Sequence, residues 1–233
     1  MEKGIKEICF TEHFSVNPQA PTYGHMNFNK YLKDINYCKK TYSNDLTVKM
    51  GIELCEPHLF THTYSKSLQT IKLDFILGSV HNINNQKLRQ VAEKSDAPHR
   101  EYFEELYKMV CIADIDVLAH LDLMKRYHST IGLYDFHEFK WAIEQILKKA
   151  IERNIGIEIN TSGLRVNLQQ ILPSINIVKL YKDLGGEILT IGSDSHTPEA
   201  VGSNIYEAIN IAKECGFRHI FKFENRIPIP IEV

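Results

Sequence analysis

Short apolar runs rich in β-branched residues alternate along this chain with longer stretches in which apolar residues recur every three to four positions. The first pattern predicts strands and the second amphipathic helices. The clearest helix is predicted over 135–152, where Ile143 and Leu147 lie opposite Lys140 and Lys148. Strands are predicted near 6–12, 47–54, 75–81, 116–121, 155–161, 187–193 and 219–224. This alternation is typical of βαβ units and predicts an α/β barrel with a parallel sheet.

Proline and glycine mark further boundaries. Pro173 and the Gly185-Gly186 pair bracket a predicted helix, since proline is favoured near a helix start and glycine after its end. Segment 82–98 is rich in Asn, Ser and Asp, and we interpret it as a long loop on the ligand-bearing face. No linker is evident, so residues 1–233 are expected to form a single domain.

Composition narrows the functional classes. The net charge of −2 leaves no basic excess, so we expect no nucleic-acid partner. No run approaches the ~20 apolar residues of a membrane span, so no membrane partner is expected either. The five cysteines are scattered without a C-x-x-C pair, which favours a reducing cytoplasm and no disulfides.

Several predicted strands end in a histidine or a carboxylate. Strand ends on the C-terminal side of a parallel barrel open onto one face, so these side chains should converge there. Taken singly, each has an ordinary structural interpretation, but their coincidence favours a polynuclear metal hydrolase. The residues are His13, Glu53, His81, His120, Asp122, Asp194 and His196.

Taken together, these segments resemble the PHP (polymerase and histidinol phosphatase) family of metal-dependent phosphoesterases, and within it the histidinol-phosphatase type. Order and spacing agree over about residues 1–225. The matching segments are Thr11-Glu12-His13, Gly51-Ile52-Glu53, Gly78-Ser79-Val80-His81, Ala119-His120-Leu121-Asp122, Glu158-Ile159-Asn160-Thr161-Ser162-Gly163-Leu164-Arg165 and Gly192-Ser193-Asp194-Ser195-His196.

The resemblance implies a distorted (βα)7 TIM-like barrel that binds up to three divalent ions, with Zn, Mn and Fe all open. Glu53 would bridge the first and second metals, and His81 and His120 would complete the second site. Asp194 would serve the first site, and His13 and His196 the third. Asp122 is expected to orient the His120 imidazole.

The same resemblance implies hydrolysis of a phosphomonoester by a metal-bound hydroxide, with Glu53, Asp194 and His196 as catalytic residues. Arg165 is expected to bind the phosphate, with Arg126 as a further candidate, since a guanidinium can hold two phosphate oxygens. A solvated loop arginine is the alternative at both positions. His58 and His62 match no motif and are expected to be exposed or bonded within loops.

The chain departs from the family pattern at its start. The family begins with a strand carrying His-x-His, whereas Met1-Glu2-Lys3-Gly4 reads as the last turn of a helix with its glycine cap. The first barrel strand is therefore expected to be missing, with fewer metals and two unpaired strand edges. Either translation starts upstream, which we favour, or the shortened chain is real and has lost or altered activity.

The leading hypothesis is a histidinol-phosphatase of histidine biosynthesis that acts on L-histidinol phosphate. Two alternatives stay open. One is another PHP phosphoesterase that acts on a nucleotide or sugar phosphate. The other is an inactive protein that retains a metal site.

Overall fold

The computed structural model describes residues 4–233, so the predicted helical turn at Met1-Glu2-Lys3 lies outside the described residues. The strands are β1 Glu7–Phe14, β2 Thr47–Cys55, β3 Phe75–Ser79, β4 Asn82–Ile83, β5 Gln86–Lys87, β6 Val117–Leu118, β7 Gly156–Asn160, β8 Leu189–Gly192, β9 His219–Glu224 and β10 Ile227–Glu232. The α-helices are α1 Phe28–Thr41, α2 Thr61–Leu68, α3 Leu88–Lys94, α4 Pro98–Ile112, α5 His128–Ile131, α6 Phe136–Glu152, α7 Ile175–Asp183 and α8 Ile205–Glu214.

Six strands form one curled parallel sheet in the order β1-β2-β3-β6-β7-β8. The sheet is a half-barrel, which confirms the predicted TIM-like α/β class. Strands β1 and β8 are its edges, so each pairs within this sheet on one side only. Its C-terminal strand ends all point the same way, as the predicted site requires.

The predicted strand at 219–224 is present, but it does not join the parallel sheet. It pairs antiparallel with β10 and forms a separate two-stranded ribbon, the β9–β10 ribbon. Pro228 and Pro230 explain why β10 stays at an edge, because proline has no N–H to offer to a further strand.

The β9–β10 ribbon packs against the inner face of the sheet. Phe223 is buried in a cluster with Phe75, Leu77, Val117 and Ala119, and its ring centroid lies 4.8 Å from that of Phe75. The turn of the ribbon is held by Arg226, which donates to Asp114 and Asp116 just before β6. The ribbon therefore covers the N-terminal end of the half-barrel, opposite the predicted site.

Helices cover the outer face, and most predicted boundaries are confirmed. Helix α6 begins after Asp135, whose side chain caps it, and buries the predicted apolar stripe. Helix α7 lies between Pro173 and the glycine pair. Segment 82–98 was wrongly predicted as a loop, because it contains the β4–β5 hairpin and α3, whose Leu88 and Val91 are buried.

Within residues 4–233, no helix is both long and apolar enough to span a bilayer. The assignment of residues 1–233 to a single domain stays a prediction.

Candidate metal centre

Parallel pairing brings the predicted ligands together at one end of the sheet. His13 on β1 lies directly beside Glu53 on β2 in the strand register. His81 follows β3, His120 follows β6, and Asp194 follows β8. The site is thus assembled from five chain segments whose only common feature is that each lies at a C-terminal strand end.

The innermost part is a carboxylate with two imidazoles, here called the Glu53 group (Glu53, His81 and His120). Glu53 Oε1 lies 3.1 Å from His120 Nε2 and 3.4 Å from His81 Nε2. The two Nε2 atoms are 3.4 Å apart. Three such ligands are the protein donor set of many catalytic zinc sites, so these residues fit a divalent ion.

Two members of the Glu53 group, Glu53 and His81, have pKa shifts that favour a bound cation, whereas burial would lower the pKa of His120 but the hydrogen bond and charge of Glu53 outweigh burial and raise it. Burial alone would raise the pKa of Glu53, but the hydrogen bond from His120 and the nearby His13 and His81 hold it well below its ordinary value. Burial lowers the pKa of His81 to about 3, despite the opposing effect of Glu53. A carboxylate and a neutral imidazole both offer lone pairs, which is the state a metal ligand needs.

The other predicted ligands lie nearby without forming further complete sites. His13 Nδ1 is 3.5 Å from Glu53 Oε2, and the His13 and His196 rings stack at 5.8 Å. His196 Nε2 is 3.1 Å from Asp194 Oδ1. Among residues 4–233, no third ligand joins His13 and His196, and no group of three includes Asp194. The predicted first and third sites therefore stay predictions, with incomplete ligand sets.

Arg126 is held beside the site by two oxygens. Its guanidinium donates to Ser162 Oγ at 2.6 Å and to Asp194 Oδ2 at 3.3 Å. Its Nε is buried and has no hydrogen-bond partner within residues 4–233. Burial would raise the pKa of Asp194, but His120 and Arg126 lower it below its ordinary value despite the neighbouring Glu53.

Arg165 lies further out. It donates to the backbone carbonyls of Ser193 and Asp194 and to Thr161 Oγ1, and its side chain is exposed. It therefore fixes the loop that carries Asp194. Contact of either arginine with a phosphate stays a prediction.

The expected role of Asp122 is wrong. Its carboxylate accepts from Tyr134 Oη at 3.0 Å and from the Ser174 N–H at 2.9 Å, and it pairs with Lys125 at 3.1 Å. His120 Nδ1 has no partner among the described residues. The chain turns away after His120 into a 3-10 segment, so Asp122 faces the α7 start instead of the imidazole.

Sequence reasoning placed Glu158 in a matching segment but gave it no role, although it is a buried carboxylate within β7. It accepts from the His120 N–H at 3.0 Å and from Asn160 Nδ2 at 3.1 Å. Burial raises its pKa to about 7, and His120 opposes this effect. A charged residue inside the apolar run Gly156–Asn160 was the available signal. Glu158 needs Gly192 as a neighbour, because a Cβ at that position would overlap Glu158 Oε1.

His58 and His62 differ although both lack a motif. His62 is exposed on α2, as expected. His58 is buried and donates from Nε2 to Glu105 of α4 at 2.8 Å. Its partner is 47 residues away in sequence, so local pattern could not reveal it.

Comparison with known proteins extends these findings. The PHP domain family model matches residues 1–162. The probable histidinol-phosphatase of Clostridium acetobutylicum is 33% identical over 97% of this chain and 88% of its own length. The histidinol-phosphatase of Lactococcus lactis is 25% identical over 94% of this chain and 84% of its own.

Solved structures agree on the fold. A crystal structure of histidinol phosphate phosphatase from Lactococcus lactis, complexed with Zn, L-histidinol and phosphate, superposes with a TM-score of 0.85. It is 22% identical to this chain, and the match covers 98% of this chain and 89% of that one. With the family match over residues 1–162, these likenesses show that this chain belongs to the PHP domain family, in its histidinol-phosphatase branch.

Proposed function

We propose that this chain is a metal-dependent phosphomonoesterase that hydrolyses L-histidinol phosphate to L-histidinol and phosphate. The observation that carries the proposal is the Glu53 group, assembled at strand ends in a chain 33% identical to the probable histidinol-phosphatase of Clostridium acetobutylicum. The Lactococcus lactis structure of the same fold was solved with Zn, L-histidinol and phosphate, which supports this substrate.

Glu53, His81 and His120 would hold the metal ion. Mixed imidazole and carboxylate donors suit Zn, Mn or Fe. When bound, a divalent ion there supplies positive charge that offsets the charge on the phosphoryl oxygens. Glu158 keeps His120 in place through the backbone N–H, since Nδ1 of that ring has no partner within the described chain.

Arg126 is assigned to the phosphate. Its Nη2 atom donates to Ser162 and Asp194, so the guanidinium is already oriented before substrate binds. The side chain is 33% exposed, and its Nη1 donors, which have no partner among the described residues, can then bond a phosphoryl oxygen; charge-assisted bonds of this kind are short and strong. Arg165 adds a positive charge nearby and secures the loop after β8.

The Asp194–His196 pair is assigned to proton transfer. Asp194 Oδ1 accepts from His196 Nε2, which leaves the other ring nitrogen of this exposed histidine without a hydrogen-bond partner among the described residues. A histidine held in this way can protonate the departing alcohol oxygen, which is general acid catalysis.

The test is phosphate release by the purified chain with added Zn²⁺ or Mn²⁺, measured on L-histidinol phosphate, a nucleoside monophosphate and a sugar phosphate. We expect L-histidinol phosphate to give the highest kcat/KM. His120→Ala should lose metal binding at the Glu53 group and, with it, phosphate release. His62→Ala, which changes an exposed histidine outside the site, is the matched control and should leave both unchanged.

Two results would contradict the proposal. If the folded, metal-loaded chain hydrolyses a sugar or nucleotide phosphate faster than L-histidinol phosphate, the substrate must be reassigned. Release that persists at the wild-type rate in His120→Ala would remove the Glu53 group from the reaction.

A further inference from the structure

Cys55 lies beside the Glu53 group, two residues beyond Glu53 on β2, and none of the roles described above involves it. Its side chain is fully buried, yet Sγ faces two histidines. Sγ is 3.6 Å from His81 Nδ1 and 3.9 Å from His13 Nδ1. One potential ligand atom from each of Cys55, His13 and His81 lies within 4.8 Å of the other two. A sulfur and two imidazole nitrogens thus converge on one point.

We propose that Cys55, His13 and His81 form a second metal position, the Cys55 group, which takes a thiophilic divalent ion such as Zn²⁺. Thiolate and imidazole together are a soft donor set that favours Zn²⁺ over Mn²⁺. On binding, the Cys55 thiol releases its proton to solvent and the sulfur bonds to the ion. The Glu53 group, by contrast, offers a carboxylate in place of the thiolate.

The spacing agrees with a tetrahedral ion. Zn–S bonds of about 2.3 Å and Zn–N bonds of about 2.0–2.1 Å place sulfur and nitrogen about 3.6 Å apart at the tetrahedral angle. The observed 3.6 and 3.9 Å are within a few tenths of an ångström of that value. The side chains of His13 and His81 are 30% and 23% exposed, so an ion can reach the group from solvent.

The two metal positions use opposite nitrogens of the same ring. The Glu53 group meets Nε2 of His81, whereas the Cys55 group meets Nδ1. Ser79 Oγ donates to the Leu54 carbonyl, so it can only accept from His81, and a protonated Nδ1 would bond to it at 3.3 Å. That tautomer serves the Glu53 group. His120 belongs to the Glu53 group alone, so the Cys55 group should persist when His120 is removed.

Co²⁺ tests the proposal, because a thiolate ligand gives a charge-transfer absorption in the near ultraviolet that nitrogen and oxygen ligands do not give. We expect this absorption on titrating the wild-type chain with Co²⁺, and also in His120→Ala. Cys55→Ser should abolish it. Cys38→Ser, at a half-buried cysteine on α1, is the matched control and should retain it.

His13→Ala is a second variant at a partly exposed position, so it should fold even if Cys55→Ser does not. It should weaken Co²⁺ binding to the Cys55 group at least tenfold. Absence of the absorption in both wild type and His120→Ala, or its survival in Cys55→Ser, would overturn the proposal. The readout involves no substrate, so it is independent of whether L-histidinol phosphate is hydrolysed.

Discussion

At the scale of single residues, Arg126 is notable because only Nη2 of its guanidinium has hydrogen-bond partners among the described residues. We expect Arg126→Ala to lower kcat/KM for L-histidinol phosphate about 10- to 100-fold, since a hydrogen bond to a charged group contributes about 1.5–3 kcal/mol. Arg126→Lys should lose less activity than Arg126→Ala but should stay below wild type, because a lysine ammonium cannot bond two phosphate oxygens side by side as a guanidinium does. Steady-state kinetics with saturating metal measure this. Arg89→Ala, at an exposed arginine paired with Glu93, is the control. Equal kcat/KM in Arg126→Ala and wild type would remove Arg126 from the phosphate site.

Asp122 offers a test of its corrected role. Asp122→Ala leaves Lys125 buried without its carboxylate, and breaking a buried pair costs about 3–5 kcal/mol. Urea unfolding should show that loss, whereas Asp135→Ala, which removes an exposed helix cap, should cost about 1 kcal/mol. Metal affinity of the folded Asp122→Ala protein should stay near wild type, because Asp122 does not contact His120. A large fall in that affinity would restore the orienting role.

Sequence could predict which side chains converge at the candidate metal centre, because each follows an apolar run and parallel strands bring such positions together. Glu53, His81 and His120 were found in this way. Sequence could not show where a side chain turns after the strand ends. Asp122 was therefore misassigned, and the scattered cysteines did not indicate that the sulfur of Cys55 faces two imidazoles.

At the scale of secondary-structure elements, strand and helix positions were largely predictable, but strand partners were not. The β9 run has the composition of a barrel strand, and only the prolines of β10 indicate why it pairs elsewhere. Helix α3 was missed because polar turn residues surround its short apolar stripe. Contacts between distant elements, such as His58 with Glu105, leave no local signal at all.

The contact between His58 and Glu105 ties α4 to the segment after β2, and it should make stability depend on pH. The hydrogen bond from His58 lowers the pKa of Glu105 from 4.5 to about 2, with help from Lys108 and against burial. The pKa of Glu105 is lower in the folded than in the unfolded chain. The Glu105 carboxylate therefore stabilises the fold fully above about pH 4.5. This contribution declines as pH falls and is lost near pH 2.

Urea unfolding of wild type and Glu105→Gln between pH 7 and 2.5 measures this dependence. The difference in unfolding free energy between wild type and Glu105→Gln should be constant near pH 7 and should decrease as the pH is lowered. Glu104→Gln, at the exposed neighbouring position, should show no such trend relative to wild type. A Glu105→Gln difference that does not change with pH would contradict the assignment.

At the scale of the whole molecule, the β9–β10 ribbon completes the inner core of a half-barrel. Phe223→Ala should destabilise the fold by about 3–5 kcal/mol, because it leaves a cavity against Phe75, Leu77 and Val117. Ile231→Ala, at an exposed position on the same ribbon, should change stability little. Thermal and urea unfolding measure both. The candidate metal centre lies at the opposite end, so metal stoichiometry should be unchanged in the folded Phe223→Ala protein.

The position of the ribbon also bears on the order in which the chain folds. The strands of the parallel sheet pair in chain order, whereas the Lys222–Glu7 ion pair of the ribbon joins positions 215 residues apart. Contacts with long loops are costly to close early, so we expect the ribbon to dock after the transition state. Phe223→Ala should then accelerate unfolding and leave the refolding rate nearly unchanged. The ribbon would thus set how long the native molecule lasts, while the sheet sets how fast it forms.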